Sequence, residues 1–579
     1  MGSKTLLSEA VRQTVIRAPQ QTRVTVTSQP LLYRCQLRVT VTSQSLFYRC
    51  RHSGPTVDIP KLSLTKYVFK DADSYGQRVA LVDGVTGATT TFNQLREEVD
   101  HVTRSLVALD VGQGHRVTLF ASNSPDFAHV LLGVTECGAA LSLANSQLTA
   151  DELTMQLQAS GTSVLVTSPD CADRALTAAR LTNTVKEVIV LGEYPGCLPF
   201  HRLKSARHHP PPGTGSPEPD DVALLPFSSG TTGLPKGVML THRNLVAELA
   251  ALRHPWFLPL PSDDDTSVSV LPMVHIAGLM IGLVNPLAQG ARVVTLPRFE
   301  PVSFLQAVQH HRGTFSLLAP PVMTMLAQDP RAVQYDLTSL HTPCSGAAAL
   351  GADLTQRVVD RLGLTGVRQG YGMTETSPAT HTAPLTGWKY GSVGVPLPNT
   401  QSKVIDIDFG TEVGPNREGE VVVKGPQVML GYLNVPTATQ QAFTPDGWLR
   451  TGDIGYYDDE GHYFIVDRLK DIIKYKGYQI SPVYLESVLL GHPNVGEVAV
   501  VGVPAAGEVG ELATAWVVLK EQASSQQLLQ YVHARVAPYR QLRGGVEIVP
   551  SIPKSPSGKI LRRHIRQEIV ERSRRKDTS

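Results

Sequence analysis

Residues 222 to 243, VALLPFSSGTTGLPKGVMLTHR, restrict the possible folds of this chain more than any other stretch. The apolar run Val222 to Phe227 reads as a buried strand, and Val238 to Leu240 as a return strand. Between them lie four hydroxyls (Ser228, Ser229, Thr231, Thr232), the glycines Gly230, Gly233 and Gly237, and Lys236. A plain hairpin with a polar tip needs only about two to five loop residues and none of this chemistry. Glycines let the backbone approach a ligand closely. Hydroxyls and free N–H groups can surround an anion, and a lysine adds a point charge. The spacing departs from G-x-x-x-x-G-K-[ST], so this is a phosphate loop of another kind.

The stretch resembles the phosphate-binding signature of the adenylate-forming superfamily. That superfamily includes acyl-CoA synthetases, 4-coumarate–CoA ligases, firefly-type luciferases and peptide-synthetase adenylation domains. The resemblance runs over residues 60 to 570. It implies a large N-terminal domain of βαβ-layered sheets and a small mobile C-terminal α+β domain, an α/β fold. It also places Ser228 to Gly233 and Lys236 on the phosphates of ATP.

Four further motifs extend it. In Leu271 to Leu279 (LPMVHIAGL), a histidine among apolar residues is by itself more often a core residue than a catalyst. The resemblance implies that His275 orients an acyl carboxylate, with Ile276, Ala277, Ile281, Gly346 and Ala347 lining an acyl pocket. In Gln369 to Thr376 (QGYGMTET), Tyr371 offers a ring for stacking on a base and Glu375 a carboxylate for a hard cation. The resemblance implies that Gln369, Gly370, Tyr371 and Thr374 hold AMP and that Glu375 holds Mg²⁺. In Trp448 to Asp453 (WLRTGD), Asp453 has two oxygens for two ribose hydroxyls. In Asp467 to Gln479, the resemblance implies that Arg468 contacts ribose or phosphate and that Lys470 sits at a hinge. Lys474, Lys476 and Gly477 would face the active site in the thioester-forming conformation, Lys474 at the nucleotide and Lys476 and Gly477 at coenzyme A. Lys559 follows a Ser-Gly turn, as the family's catalytic lysine does.

The implied chemistry has two steps. A carboxylate attacks the α-phosphorus of ATP and pyrophosphate leaves; a thiol then attacks the acyl-AMP carbonyl. Two anions must meet, so the site needs positive charge, here Lys236, Lys559 and Mg²⁺. Lys559, His275, Lys236 and Thr374 are the expected catalytic groups. Only 20 residues follow Lys559, so no attached carrier domain is expected and free coenzyme A is the acceptor. Arg298 stands where 4-coumarate–CoA ligases have a CoA-contacting lysine. After His275, those ligases carry a tyrosine and a serine where this chain has Ala277 and Ile281. The larger, more apolar pocket favours a medium-chain or longer fatty acid over a hydroxycinnamate. A 4-coumarate–CoA ligase, a luciferase-like monooxygenase and a non-catalytic nucleotide-binding homologue are the alternatives.

The bulk properties agree. A chain of 579 residues exceeds one core, and the expected division is 1–60, 61–468 and 469–579. A net charge of +2 gives no general pull towards nucleic acid, and no apolar run is long enough to span a bilayer. Six cysteines lack any C-x-x-C pair, so neither a disulfide framework nor a zinc site is expected. Residues 1 to 60 hold seven arginines and Lys4, and before Asp58 their only acid is Glu9. A segment also recurs, Arg23 to Cys35 as Arg38 to Cys50. Such a leader resembles a mitochondrial transit peptide, with an unfolded, duplicated extension as the equal alternative. Mitochondrial location is therefore the expectation, against a cytoplasmic or a peroxisomal one, the latter without the Ser-Lys-Leu signal.

Overall fold

The computed structural model describes residues 53–205, 217–228, 236–260, 263–341, 343–346, 350–475, 478–505, 510–554 and 559–577. The expected site residues Ser229, Gly230, Thr231, Thr232, Gly233, Ala347, Lys476 and Gly477 lie outside them.

The large domain is built on βαβ units. Its main sheet has eight strands. Six of them run parallel: Val222–Ser228, Ala140–Ala144, Arg116–Phe120, Val164–Thr167, Glu187–Val190 and Leu198–Pro199. Lys236–Thr241 and Gly431–Tyr432 add antiparallel to one edge. Strands buried on both faces read as continuous apolar runs rather than alternations, and Ala140–Ala144 is buried throughout. From sequence, the apolar stretch before this strand reads as a helix over residues 126 to 140. The helix ends at Glu136 instead, because Gly138 takes φ +84 and turns the chain.

A second layer holds Thr266–Ser269, Arg292–Thr295, Val79–Asp83 and Thr89–Thr91 in one sheet, and five strands from Leu317–Leu318 to Val395–Pro396 in the next. The Ser267–Phe315 bridge links the two. Helices start on side-chain caps: Thr91 with Gln94, Thr149 with Glu152 and Thr241 with Asn244 form reciprocal boxes. An antiparallel sheet of Gln401–Ile405, Gly419–Lys424, Leu449–Tyr457 and Tyr463–Arg468 closes the large domain. Residues 53 to 60, assigned to the leader from sequence, start on this sheet. Ser53 bridges Gln401 and Gly54 N donates to Thr400 O at 2.8 Å, so the folded part begins earlier than residue 61.

The segment after Arg468 leads into the small domain. This domain contains the hairpin Ile473–Tyr475 and Tyr478–Ile480, and a sheet of Val495–Pro504, Glu511–Leu519 and Gly545–Ile548. Helices Pro482–Leu490, Ser525–His533 and Arg562–Asp577 complete it. Its core packs Ile473, Leu485, Val500, Val517 and Leu528. Among the described residues, no helix is long and apolar enough to cross a membrane.

Candidate active site

The ends of the phosphate loop meet the metal candidate. Ser228 pairs with Lys236 across the strand pair, and Ser228 Oγ donates to Glu375 Oε1 at 3.0 Å. Tyr432 OH donates to the same oxygen at 2.9 Å, and Lys236 Nζ lies 5.3 Å from the Tyr432 ring centre. Both hydrogen bonds fall on Oε1, which leaves the second oxygen of a buried carboxylate for a cation. Among the described residues no group of three or more His, Cys, Asp or Glu forms a metal cluster. That fits Mg²⁺, which takes one or two carboxylates and fills the rest of its shell with waters and substrate phosphates. Burial and the Glu375 charge raise Tyr432 far above the usual phenol range, so it stays a donor. Sequence reading missed Tyr432, because its role comes from the pairing of Gly431 with Met239 across the sheet.

The strand Arg368–Gly372 carries the next group. Gly372 must be glycine, since a Cβ there would sit 1.9 Å from Pro378 O. Tyr371 OH donates to Asp453 Oδ2 at 2.7 Å. Arg468, opposite Asp453 in register, brings Nε to 3.1 Å from Oδ1. The Tyr371 hydroxyl therefore braces the ribose candidate, a role beyond base stacking. Thr374 begins the short turn that follows this strand, half-buried next to Glu375. Gln369 departs from expectation. Its side-chain amide donates to Leu350 O at 3.1 Å and accepts from Leu350 N at 3.2 Å. Both ends of that amide are used on the Leu350 backbone, so the side chain is not presented to a nucleotide.

Three cations gather around Asp453 from the two domains. Lys559 is exposed as a residue, yet protein atoms crowd its ammonium. That desolvation, then the charges of Arg468 and Lys470, lowers its pKa to about 8, while Asp453 and Asp471 oppose the shift. Desolvation and Arg468 likewise lower Lys470. The expectation for Lys474 concerns the thioester-forming conformation. It is exposed, its backbone N donates to Glu511 Oε2 at 3.1 Å, and the residue lies on the small domain's own hairpin. This arrangement presents Lys559, and not Lys474, to Asp453.

The acyl side is built on a distorted helix. His275 caps Ile276–Leu279, a π turn covers Met280–Val284, and Asn285–Ala288 continues. Pro286 lacks an N–H, so the Gly282 carbonyl loses its i+4 donor; Ser267 Oγ donates to that carbonyl at 3.0 Å instead. Ile281, with partly buried Ala277, packs in an apolar cluster with Phe257, Leu258, Leu317 and Cys344. Ile276 is buried in the neighbouring main core, and buried Gly346 lies against Leu317 and Gly370. Burial lowers the His275 pKa, so the imidazole is neutral, and its buried Nε2 has no hydrogen-bond partner. Asn123, also missed, fixes this segment: its Oδ1 accepts from Met273 N at 2.7 Å and its Nδ2 donates to Leu271 O at 2.9 Å. The available signal was its place just past the carboxyl end of a parallel strand, where ligand sites of such sheets lie.

Arg298 is exposed and lines a separate open cavity of about 640 Å³ with Ser122, Ser168, Asp170 and Lys204. Asn123 borders the same cavity and is its link to the His275 segment.

Comparisons with known proteins identify the family. Residues 68–433 match the family model of AMP-binding enzymes, and residues 484–559 that of the AMP-binding enzyme C-terminal domain. The chain is 35% identical to a probable 4-coumarate–CoA ligase 1 of Dictyostelium discoideum, over 88% of this chain and 96% of the relative. It is 36% identical to 4-coumarate–CoA ligase 3 of Oryza sativa subsp. japonica, over 89% and 94%. Among solved structures, the ATP-bound MatB of Rhodopseudomonas palustris superposes with a TM-score of 0.80 at 28% identity, covering 88% of this chain and 99% of that one. A benzoate CoA ligase of Burkholderia xenovorans LB400 gives 0.77 at 26%, covering 87% and 100%.

Proposed function

This chain belongs to the AMP-binding enzyme family, and from that premise we infer that it is an ATP-dependent acid–CoA ligase acting on an acid with an aliphatic body. The observation that carries the reading is the convergence of Lys559, Lys470 and Arg468 on Asp453, with Lys236 and Glu375 held together at the phosphate loop.

In the first step a carboxylate oxygen bonds to the α-phosphorus of ATP, and the bond to the pyrophosphate oxygen breaks. The reaction brings two anions together, and fixed positive charge lowers that barrier. On this reading Lys559 bridges the carboxylate and the α-phosphate, and Lys236 answers the charge on the departing phosphates. Asp453, braced by Tyr371, binds the ribose hydroxyls and sets the register of the nucleotide. Mg²⁺ held at Glu375 would supply charge neutralisation on the phosphate oxygens. Neutral His275 orients the carboxylate without competing for its charge. In the second step the thiol sulfur of coenzyme A bonds to the acyl carbonyl carbon and AMP leaves. For that step we propose that the small domain turns, withdrawing Lys559 and bringing Lys474, Lys476 and Gly477 to the site, with Arg298 on the coenzyme's phosphates.

The aliphatic body is inferred from Ala277 and Ile281 in their apolar cluster. A hydroxycinnamate is the second reading, favoured by the names of the relatives. Thioester formation from hexanoate, octanoate and decanoate, compared with 4-coumarate, separates the two. Higher kcat/KM with the aliphatic acids is expected. A preference for 4-coumarate would overturn the pocket argument and keep the ligase.

A further inference from the structure

Arg368 is a buried guanidinium that the mechanism above does not use. It is 4% exposed. It stands in register with Cys344, which is in register with Leu317, so the three side chains share one face of the sheet. Leu317 and Cys344 belong to the apolar cluster that contains Ile281 and borders Ala277. Gly370, two residues on, lies on the same face, about 7 Å along the strand at about 3.3 Å per residue. Gly346 abuts Gly370 there. The two glycines place no side chain on that face between the reacting end of the site and Arg368, and Leu317 and Thr382 lie at contact distance from them.

The hydrogen bonding of this arginine is incomplete. One Nη donates to the Phe257 carbonyl, and Nε is buried without a partner. Among the described residues no carboxylate pairs with it; its one electrostatic neighbour is the Cys344 thiol. Desolvating an unpaired charge costs several kcal/mol, and a guanidinium recognises a carboxylate through two parallel hydrogen bonds.

We propose that Arg368 binds the far end of the acid, and that the substrate is an aliphatic acid carrying a second carboxylate remote from the reacting one. This rests on the acid–CoA ligase reading of the same site. The apolar cluster takes the methylene chain, and the arginine, which has no carboxylate partner among the described residues, gains its counter-charge from the substrate. A monocarboxylic acid of the same length would leave the guanidinium buried and unpaired, and its methyl end against a charge.

The test measures pyrophosphate release with ATP, Mg²⁺ and coenzyme A on matched pairs: succinate and butyrate, adipate and hexanoate, suberate and octanoate. The intact chain should favour one diacid over its partner by at least about tenfold in kcat/KM, equivalent to about 1.4 kcal/mol. Arg368→Met should reverse that preference, chiefly through KM, and Arg368→Lys should keep it at a raised KM. A wild-type preference for the monoacids, or a ratio unchanged in a folded Arg368→Met, would overturn the proposal: Arg368 would then be a strut for the Phe257 carbonyl, and the ligase reading would stand. Pyrophosphate from none of these acids nor from 4-coumarate would contradict the ligase reading itself, and the proposal with it.

Discussion

At the scale of single residues, the site is a set of charges whose neighbours decide what each can do. Lys559 is the clearest case. Crowding and two cations hold its pKa at about 8, so in the free enzyme the ammonium is lost as pH rises through that value. Adenylation that needs the cation should therefore fall in kcat/KM above about pH 8. Lys559→Arg keeps a charge at every accessible pH, so that limb should flatten even though the rate drops; an unchanged limb would remove Lys559 from the reaction. Asp453 gives a second residue-scale expectation. If it reads the ribose, the intact chain should bind ATP much better than 2′,3′-dideoxy-ATP, and Asp453→Ala should bind both alike. Tyr371→Phe should weaken ATP binding by about 1.5–3 kcal/mol, the range for a hydrogen bond to a charged group. Titration calorimetry checks both.

Legibility from sequence also divides at this scale. Asp453, Glu375 and Lys559 could be singled out because each stands in a specific string of residues, and the structure gives Asp453 and Glu375 polar partners from other strands. Gln369 lies in the same kind of string, yet its amide is used on Leu350, and nothing in the sequence marks which partner an amide will find. Tyr432 and Arg368 were not readable at all. One acts through a strand pairing distant in sequence, and the other stands out because it is buried with no carboxylate partner among the described residues.

At the scale of elements, helix Arg562–Asp577 controls where Lys559 stands. Arg562 grips Glu486 with two hydrogen bonds, at 2.5 and 2.9 Å, and Glu486 also accepts from Val500 N at 2.7 Å. Burial raises the Glu486 pKa although Arg562 pulls it down, so removing the arginine leaves a desolvated acid with one donor. Arg562→Met should cost about 3–5 kcal/mol of small-domain stability, the usual price of breaking a buried pair from one side. It should also slow adenylation, because Lys559 lies three residues before the helix. Hydrogen exchange across 562–572 should accelerate, and adding Glu486→Gln should recover part of the loss. The strands Val222–Ser228 and Lys236–Thr241 were legible as apolar runs; the end of the helix at Glu136 was not, since it depends on one glycine at positive φ. The π turn at Met280–Val284 could not be foreseen either, because the carbonyl freed by Pro286 is satisfied by Ser267 on another strand.

At the scale of the whole molecule, the two domains meet through a carboxylate at their junction. Asp467, on the last strand of the large domain, accepts from Ser481 Oγ at 2.6 Å and from Val483 N at 3.1 Å at the start of the first small-domain helix. Asp467→Ala should loosen that seam, and limited proteolysis between residues 469 and 480 should speed up. A cleavage rate equal to that of the intact chain would show that docking does not depend on this carboxylate. The two-domain division was legible because the charged segment from Asp467 separates two runs of apolar structure, whereas the start of the large domain beside Gln401 was hidden by the basic composition of its surroundings.

The central claim is that positive charge from both domains meets at Asp453 to make an acyl-adenylate. The direct measurement is pyrophosphate release by the full chain with ATP, Mg²⁺ and a panel of mono- and dicarboxylic acids, without coenzyme A, alongside Lys559→Ala. The account predicts a burst of acid-dependent release by the intact chain, limited to about one equivalent by the bound adenylate, and its loss by at least about 100-fold in the variant, equivalent to about 2.7 kcal/mol of barrier. Release that persists unchanged in Lys559→Ala would contradict it.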